Sequence, residues 1–230
     1  MVIAIDGPSG VGKSTVARAV AARLGLSYVE SGAMYRAVAL LALDSGTPLN
    51  DAAALGAIAD RAQFRFETGT SENRLWLNER DVTEAIRAPE VTDAASVVST
   101  HAVVRRHLVD RQRDLGAAAG IVMEGRDIGT VVFPGADLKV FLDAAPEVRA
   151  RRRLQDKQGG GGVSAEAVLR GITERDRRDQ TREVSPLAPA ADAVHIDTSH
   201  LTLQQVTDRI VELARARRGG ASLEIAADNP

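Results

Sequence analysis

The sequence predicts an α/β protein: a parallel β-sheet covered on both faces by helices, with a small antiparallel insert. Three observations carry that prediction. Along the 230 residues, short apolar runs such as "VIAID", "GIVMEG", "LKVFLDA" and "AVHIDT" alternate with stretches of helical character, the pattern of strands joined by helical crossovers. The glycine-rich stretch "DGPSGVGKST" begins at the end of the first run and leads into a helix. Between Gln63 and Ile86 the pattern changes to alternation of apolar and polar residues, with the chain's densest group of aromatics, which reads as antiparallel β-structure.

Each element follows from local signals. Val2 to Asp6 is short, apolar and β-branched, a buried strand. A helix opens near Gly12, continues through "KSTVARAVAARLG" and stops at Gly25. "LSYVE" is a second strand, and "SGAMYRAVALLALDSG" a helix with Ser31 as its N-cap and Gly46 at its end. "DAAALGAIADRA" is another helix. "QFRFETG" and "NRLWLNERDVT" are paired strands carrying Phe64, Phe66, Leu75, Trp76, Leu77 and Val82. Helices resume from about Pro89 to Leu115, and Gly120–Gly125 and Leu138–Ala144 are buried strands, the first ending at an acid. "APEVRARRRLQDKQ" is a basic helix with Pro146 in its first turn. "GGGG" at Gly159 to Gly162 is a flexible break. "SAEAVLRGITERDRRDQTRE" is a helix capped by Ser164; "AVHIDT" and "TLQQVTDRIVELARAR" are the last strand and helix, before a frayed tail.

Composition narrows the class. Hydrophobic content of 44% and charged content of 26% describe an ordinary globular protein. A formal net charge of -2 argues against a general nucleic-acid binder. With no cysteine, disulfides and thiolate metal sites are excluded. No apolar run approaches the roughly 20 residues that span a bilayer, and no leader pattern precedes the first strand, so a cytoplasmic location is expected. Lysine occurs only at Lys13, Lys139 and Lys157; the rest of the basic residues are arginine. Genomic base composition accounts for most of that bias, although the planar guanidinium fork also suits phosphate and carboxylate recognition.

Gly7-Pro8-Ser9-Gly10-Val11-Gly12-Lys13-Ser14 fits G-x-x-x-x-G-K-[ST] at every fixed position, between a strand and a helix. The glycines let backbone N–H groups cradle a polyphosphate, and the helix N-terminus adds positive charge. Lys13 can reach terminal phosphates, and the Ser14 hydroxyl can face Mg²⁺. The motif alone does not separate motors, switches and kinases. No guanine-reading N-K-x-D segment occurs, and a mechanochemical ATPase usually needs a longer chain. "ESGAMYR" (Glu30 to Arg36) follows the second strand, at the mouth of the sheet where ligands collect. Ser31 and Arg36 there fit an anionic acceptor, or equally a helix cap and a surface arginine. "EGRDIGTVVFP" (Glu124 to Pro134) puts Glu124, Arg126 and Asp127 at a strand end, costly as core but reasonable in a polar cleft or a surface loop. Arg175, Asp179 and Arg182 share one helix face. With Arg151, Arg152 and Arg153 on the preceding helix and the tetraglycine between, the segment reads either as a lid closing over phosphates or as solvated charge.

On "DGPSGVGKST", "SGAMYRA", "EGRDIGTVVFP", "FLDA" and "ERDRRDQTREVSPL", in this order, the chain resembles the bacterial cytidylate kinases from about Val2 to Arg217. The resemblance implies a three-layer P-loop NTPase fold with a central parallel sheet, the antiparallel insert and a helical lid. It implies a core at 1–30, 90–150 and 163–218, a nucleoside-monophosphate region at 31–89 with the insert at about 63–86, and a lid at 151–162; residues 219–230, outside the resemblance, are expected to be a disordered tail. It further implies transfer of the γ-phosphoryl group of ATP to CMP and dCMP, with Mg²⁺ held through Ser14. ATP would lie on Gly7 to Thr15, that is Gly7, Pro8, Ser9, Gly10, Val11, Gly12, Lys13, Ser14 and Thr15. CMP would lie on Ser31, Arg36, Ser96, Arg105, Arg126, Asp127, Arg175 and Asp179, with Arg36 on the phosphate, Asp127 on the cytosine amine and Asp179 on the ribose. Ser96 and Arg105 match positions used for the cytosine ring. Lys13, Arg126, Arg152, Arg153 and Arg182 would act on the transferring group. The expected state is a monomer without nucleic-acid or membrane partners. Two alternatives stay open, a small P-loop kinase for another acceptor (UMP, AMP or a small metabolite) and a non-catalytic nucleotide-binding regulator.

Overall fold

The computed structural model describes residues 1–68, 73–117, 120–156 and 164–219. The parallel sheet has five strands, β1 (Val2–Asp6), β2 (Ser27–Glu30), β6 (Ile121–Gly125), β7 (Leu138–Asp143) and β8 (Val194–Asp197), in the order β2-β6-β1-β7-β8. All its pairings are parallel. The expected apolar runs occupy these strands because both faces of such a sheet are covered; every residue of β6 is buried. The second sheet is antiparallel, β3 (Phe64–Thr68), β4 (Asn73–Leu77) and β5 (Arg80–Asp81). Asn78 and Glu79 take positive φ of 47° and 65° between β4 and β5, the backbone that a two-residue hairpin turn requires.

The helices are α1 (Lys13–Leu24), α2 (Ser31–Asp44), α3 (Ala52–Arg61), α4 (Pro89–Val98), α5 (Ala102–Ala117), α6 (Pro146–Asp156), α7 (Ala165–Thr181) and α8 (Leu203–Arg218). On one side of the parallel sheet Val16, Ala17 and Val20 of α1 and Ile210, Val211 and Ala214 of α8 bury Ile3, Ile5 and Leu142. On the other, Val109 of α5 packs with Val29, Met123, Ile128 and Val132. A further core joins α2, α3, α4 and α5 to the small sheet through Val38, Leu55, Leu75, Leu77, Val82 and Leu108. Helices α6 and α7 meet through Ala150, Val168 and Ile172.

One local reading changes, and two details are added. Ser31 is the first residue of α2, and the cap position belongs to Glu30; the Ser31 hydroxyl donates to the Glu124 carbonyl, 2.8 Å away, and so does not cap the helix. The helices expected from Pro89 are α4 and α5, parted at Ser99–His101. Ile128–Val132, within "EGRDIGTVVFP", forms a single π-helical turn. Residues 157–163, with the tetraglycine, and the tail from 220 lie outside the described residues.

Candidate active site

The carboxyl ends of β1, β2 and β6 lie side by side, with Glu30 opposite Glu124 and Asp6 opposite Gly125. The loop from Gly7 to Gly12 leaves β1 at this edge and enters α1. Gly7, Gly10 and Gly12 all have positive φ. At Gly7 a Cβ would stand 2.1 Å from the Leu142 carbonyl oxygen of β7, so glycine is required for the backbone to pass the sheet. Lys13 Nζ donates to the Pro8 carbonyl at 2.8 Å, and Ser14 Oγ donates to Glu124 Oε1 at 2.7 Å.

Two cavities meet at Lys13. The larger, about 560 Å³, is floored by Gly10 to Val16, and Leu201, Leu203 and Val206 give it an apolar end. The smaller, about 170 Å³, is lined by Ser31, Arg36, Arg105, Arg126, Asp127, Arg175, Asp179 and Arg182 among others. Lys13, Ser14, Glu30, Arg36, Arg153 and Arg175 line both. The smaller cavity has seven basic against four acidic side chains in its wall, an excess of positive charge that a phosphate dianion neutralises.

Most of these charges are paired across the chain, with one i,i+3 pair at the end of α7. Arg126 Nε donates to Asp179 Oδ2 at 2.7 Å, Arg105 pairs with Asp127, and Arg36 with Glu30 at 2.6 Å. Arg182 lies just beyond the last turn of α7 and stands 3.4 Å from Asp127 and 4.0 Å from Asp179. Burial works against each ion, yet the Arg126 guanidinium holds Asp179 below the usual carboxylate range. The same opposition at Glu30 ends in a lowered pKa through Arg36. At Glu124 burial prevails over Lys13 and the pKa rises. Burial, then the charges of Arg126 and Arg175 against that of Glu124, push Lys13 down to about 7. Arg175 is pushed down to about 10 by burial and by Arg126; it and Arg153 make no ion pair among the described residues.

Two expected residues have partners or places of their own. Arg152 lines the larger cavity but not the smaller, and it donates to the Val11 carbonyl at 3.3 Å, to Thr198 Oγ1 at 2.9 Å and to the Thr198 carbonyl at 2.6 Å. Ser96 does not join Arg105 and Asp127. It lines a third cavity of about 240 Å³ with Arg153, Arg175 and Arg178, and its buried hydroxyl has no partner among the described residues; its helix neighbours Ala95 and Ser99 line the smaller cavity instead. Two residues went unread. Asp6 accepts from the Ile128 and Gly129 N–H groups at 2.9 and 2.7 Å, anchoring the π turn beside Arg126 and Asp127, and burial raises it to about 6 against those two donors. Glu30 stands between the cavities. Both are acids at the ends of apolar strands, the signal that had singled out Glu124.

Residues 3–216 match the cytidylate kinase family. The chain belongs to that family. It is 51% identical over 229 residues to the bifunctional pantoate ligase/cytidylate kinase of Synechococcus sp. (strain JA-2-3B'a(2-13)), across 96% of this chain and 42% of that protein. The chain thus spans less than half the length of that relative. It is 47% identical over 220 residues to the cytidylate kinase of Solibacter usitatus (strain Ellin6076), across 94% of this chain and 93% of that one. A solved structure of an uncharacterized protein from Eubacterium ventriosum ATCC 27560 aligns at a TM-score of 0.51 and 12% identity, over 94% of this chain and 98% of the other, a likeness of fold. Membership accounts for the order of motifs along the chain; the ion pairs above belong to this chain's own packing.

Proposed function

We propose that this chain transfers the γ-phosphoryl group of ATP to CMP, and to dCMP, giving ADP and CDP or dCDP. The observation that carries this reading is the pair of cavities meeting at Lys13, one floored by the phosphate loop and the other walled by arginines. A regulator needs one phosphate pocket; a kinase with a phosphorylated acceptor needs two.

The acceptor phosphate has a second pKa of about 6, so its oxygen is anionic at neutral pH and no general base is required. That oxygen forms the new bond to the γ-phosphorus, while the bond from phosphorus to the ADP oxygen breaks. The chain's contribution is alignment and charge neutralisation. The loop Gly7–Thr15 holds the donor, with Lys13 on its terminal phosphates. Ser31, Arg36, Arg126 and Arg175 hold the acceptor phosphate. Arg105 and Asp127 face the cytosine, and Asp179 the ribose; Ser96, in the third cavity, has no part in this reading. Arg153 and Arg182 close on the transferring group; Arg153, without an ion pair among the described residues and lining both cavities, suits this role better than Arg152. Water exclusion on closure limits ATP hydrolysis.

Ser14 Oγ and the Glu124 carboxylate, 2.7 Å apart beside the loop, offer hard oxygen donors that fit Mg²⁺, which keeps most of its shell as water and phosphate oxygens. Bound with ATP, Mg²⁺ supplies charge neutralisation on the donor phosphates. Within this reading 31–89 is the acceptor region, 151–162 the lid, 219–230 a tail outside the machinery, and the chain works as a cytoplasmic monomer on small molecules.

Turnover with Mg-ATP against CMP, dCMP, UMP and AMP, followed by coupled ADP release, tests the reading. CMP and dCMP should be the best acceptors. No product from CMP, together with turnover of AMP, shikimate or gluconate, overturns it.

A further inference from the structure

A phosphate loop binds anions with its N–H groups, and each N–H turned inward sends the carbonyl of its peptide outward, where it needs a donor of its own. In this loop four such donors are identifiable. The Pro8 carbonyl takes Lys13 Nζ at 2.8 Å and the Gly12 carbonyl takes the Val16 N–H at 3.1 Å. The other two come from α6, where Arg149 and Arg152 stand three residues apart. Arg149 Nη1 donates to the Ser9 carbonyl at 3.0 Å, and Arg152 Nη1 to the Val11 carbonyl at 3.3 Å.

Arg149 is 5% exposed and held through Nε and Nη1. Its Nε donates to the Ala144 carbonyl at 2.9 Å, just past β7, and its Nη1 meets Asp176 Oδ2 of α7 at 2.5 Å. Asp176 in turn accepts from the Ser9 N–H through Oδ1 at 3.2 Å. One buried ion pair therefore grips both the N–H and the carbonyl of Ser9. The α6 backbone presses on the loop at the next residue: a Cβ on Gly10 would stand 3.3 Å from the Arg149 carbonyl oxygen. Neither Arg149 nor Asp176 lines the two cavities that meet at Lys13.

We propose that Arg149 and Asp176 are positioning residues for the donor nucleotide, fixing the Ser9 peptides so that the loop is shaped for ATP before it binds. A buried ion pair is weak evidence of a stabilising role, since apolar replacement of both partners is often neutral. The contacts to Ser9 give this pair its purpose. They also tie the loop to α6 and α7, the helices that carry Arg153 and Arg175. The assignment rests on the reading of the loop as the ATP site, and not on the identity of the acceptor.

The test compares Asp176→Asn, Arg149→Lys and the double variant Arg149→Met/Asp176→Leu with the wild type. The double variant removes the pair without stranding a buried charge, so it keeps the question answerable if a single variant fails to fold. Mg-ATP affinity is titrated calorimetrically without acceptor, well below each melting temperature, and KM is measured for ATP and CMP. The expected result is ATP affinity weakened by about tenfold or more, in the double variant as well, with CMP affinity within about twofold. ATP affinity within about twofold of wild type in the folded variants, or equal weakening of both substrates, overturns the assignment. Because ATP is titrated alone, a tenfold loss supports it even if the wild type makes no CDP, a result that removes only the acceptor reading.

Discussion

Lys13 sits where both cavities meet, and its environment sets a pH dependence. Burial and the charges of Arg126 and Arg175, against Glu124, push its ammonium down to about 7 from 10.5. Donor phosphates favour the charged form, so ATP binding takes up a proton above that pH. The KM for ATP should stay flat below about pH 7 and rise above it by up to about tenfold per unit, the slope of one proton. The folded chain binds fewer protons than the unfolded one between about 7 and 10.5, so this lysine adds stability as pH rises through that window. Lys13→Ala should abolish transfer while leaving the far-ultraviolet dichroism unchanged. Retained activity, or a flat KM profile in the wild type, removes Lys13 from the donor site. The role of Lys13 was legible in the sequence because the motif is contiguous. Its altered acidity was not, since Arg126 and Arg175 reach it from just past β6 and from α7.

At the scale of elements, punctuation signals located the helices and tertiary bonds adjusted their ends. Asp51 caps α3, accepting from the Ala54 N–H at 2.9 Å, on an exposed helix end remote from both cavities. Asp51→Ala should cost about 1 kcal/mol and lower the melting temperature by roughly 2–4 °C, with both KM values unchanged; a shift in either KM would tie α3 to the site. Ser31 shows the limit of such signals: it stands where a cap is expected, yet its hydroxyl serves the β6 carbonyl at Glu124. The π turn at Ile128–Val132 is a second case. Two bonds from Asp6, more than 120 residues earlier, hold it, and no local pattern announces them.

For the whole molecule, the two cavities make nucleotide binding a source of stability. A ligand at 100 times its dissociation constant stabilises the folded state by about 2.7 kcal/mol, or roughly 5–11 °C in melting temperature for a chain of this size. ATP and CMP should each produce such a shift alone, seen by differential scanning calorimetry, because each cavity has its own walls. A shift with ATP and none with CMP would leave the arginine-walled cavity without its proposed occupant.

The sequence by itself determined the alternation of strands and helices, the antiparallel insert and the phosphate loop. Each depends on periodicity or on adjacent residues, and local chemistry decides such features before any packing exists. Tertiary structure decided which charges meet. Ser14 finds Glu124 110 residues away, Arg126 finds Asp179 at 53, and Arg149 finds the Ser9 carbonyl at 140. Strand register and helix packing set these pairings, and both follow from how buried side chains fit together. The same packing ties Arg152, which lines the larger cavity alone, to Val11 and Thr198 and leaves Arg153 facing both cavities, a distinction that three consecutive arginines in a sequence do not contain.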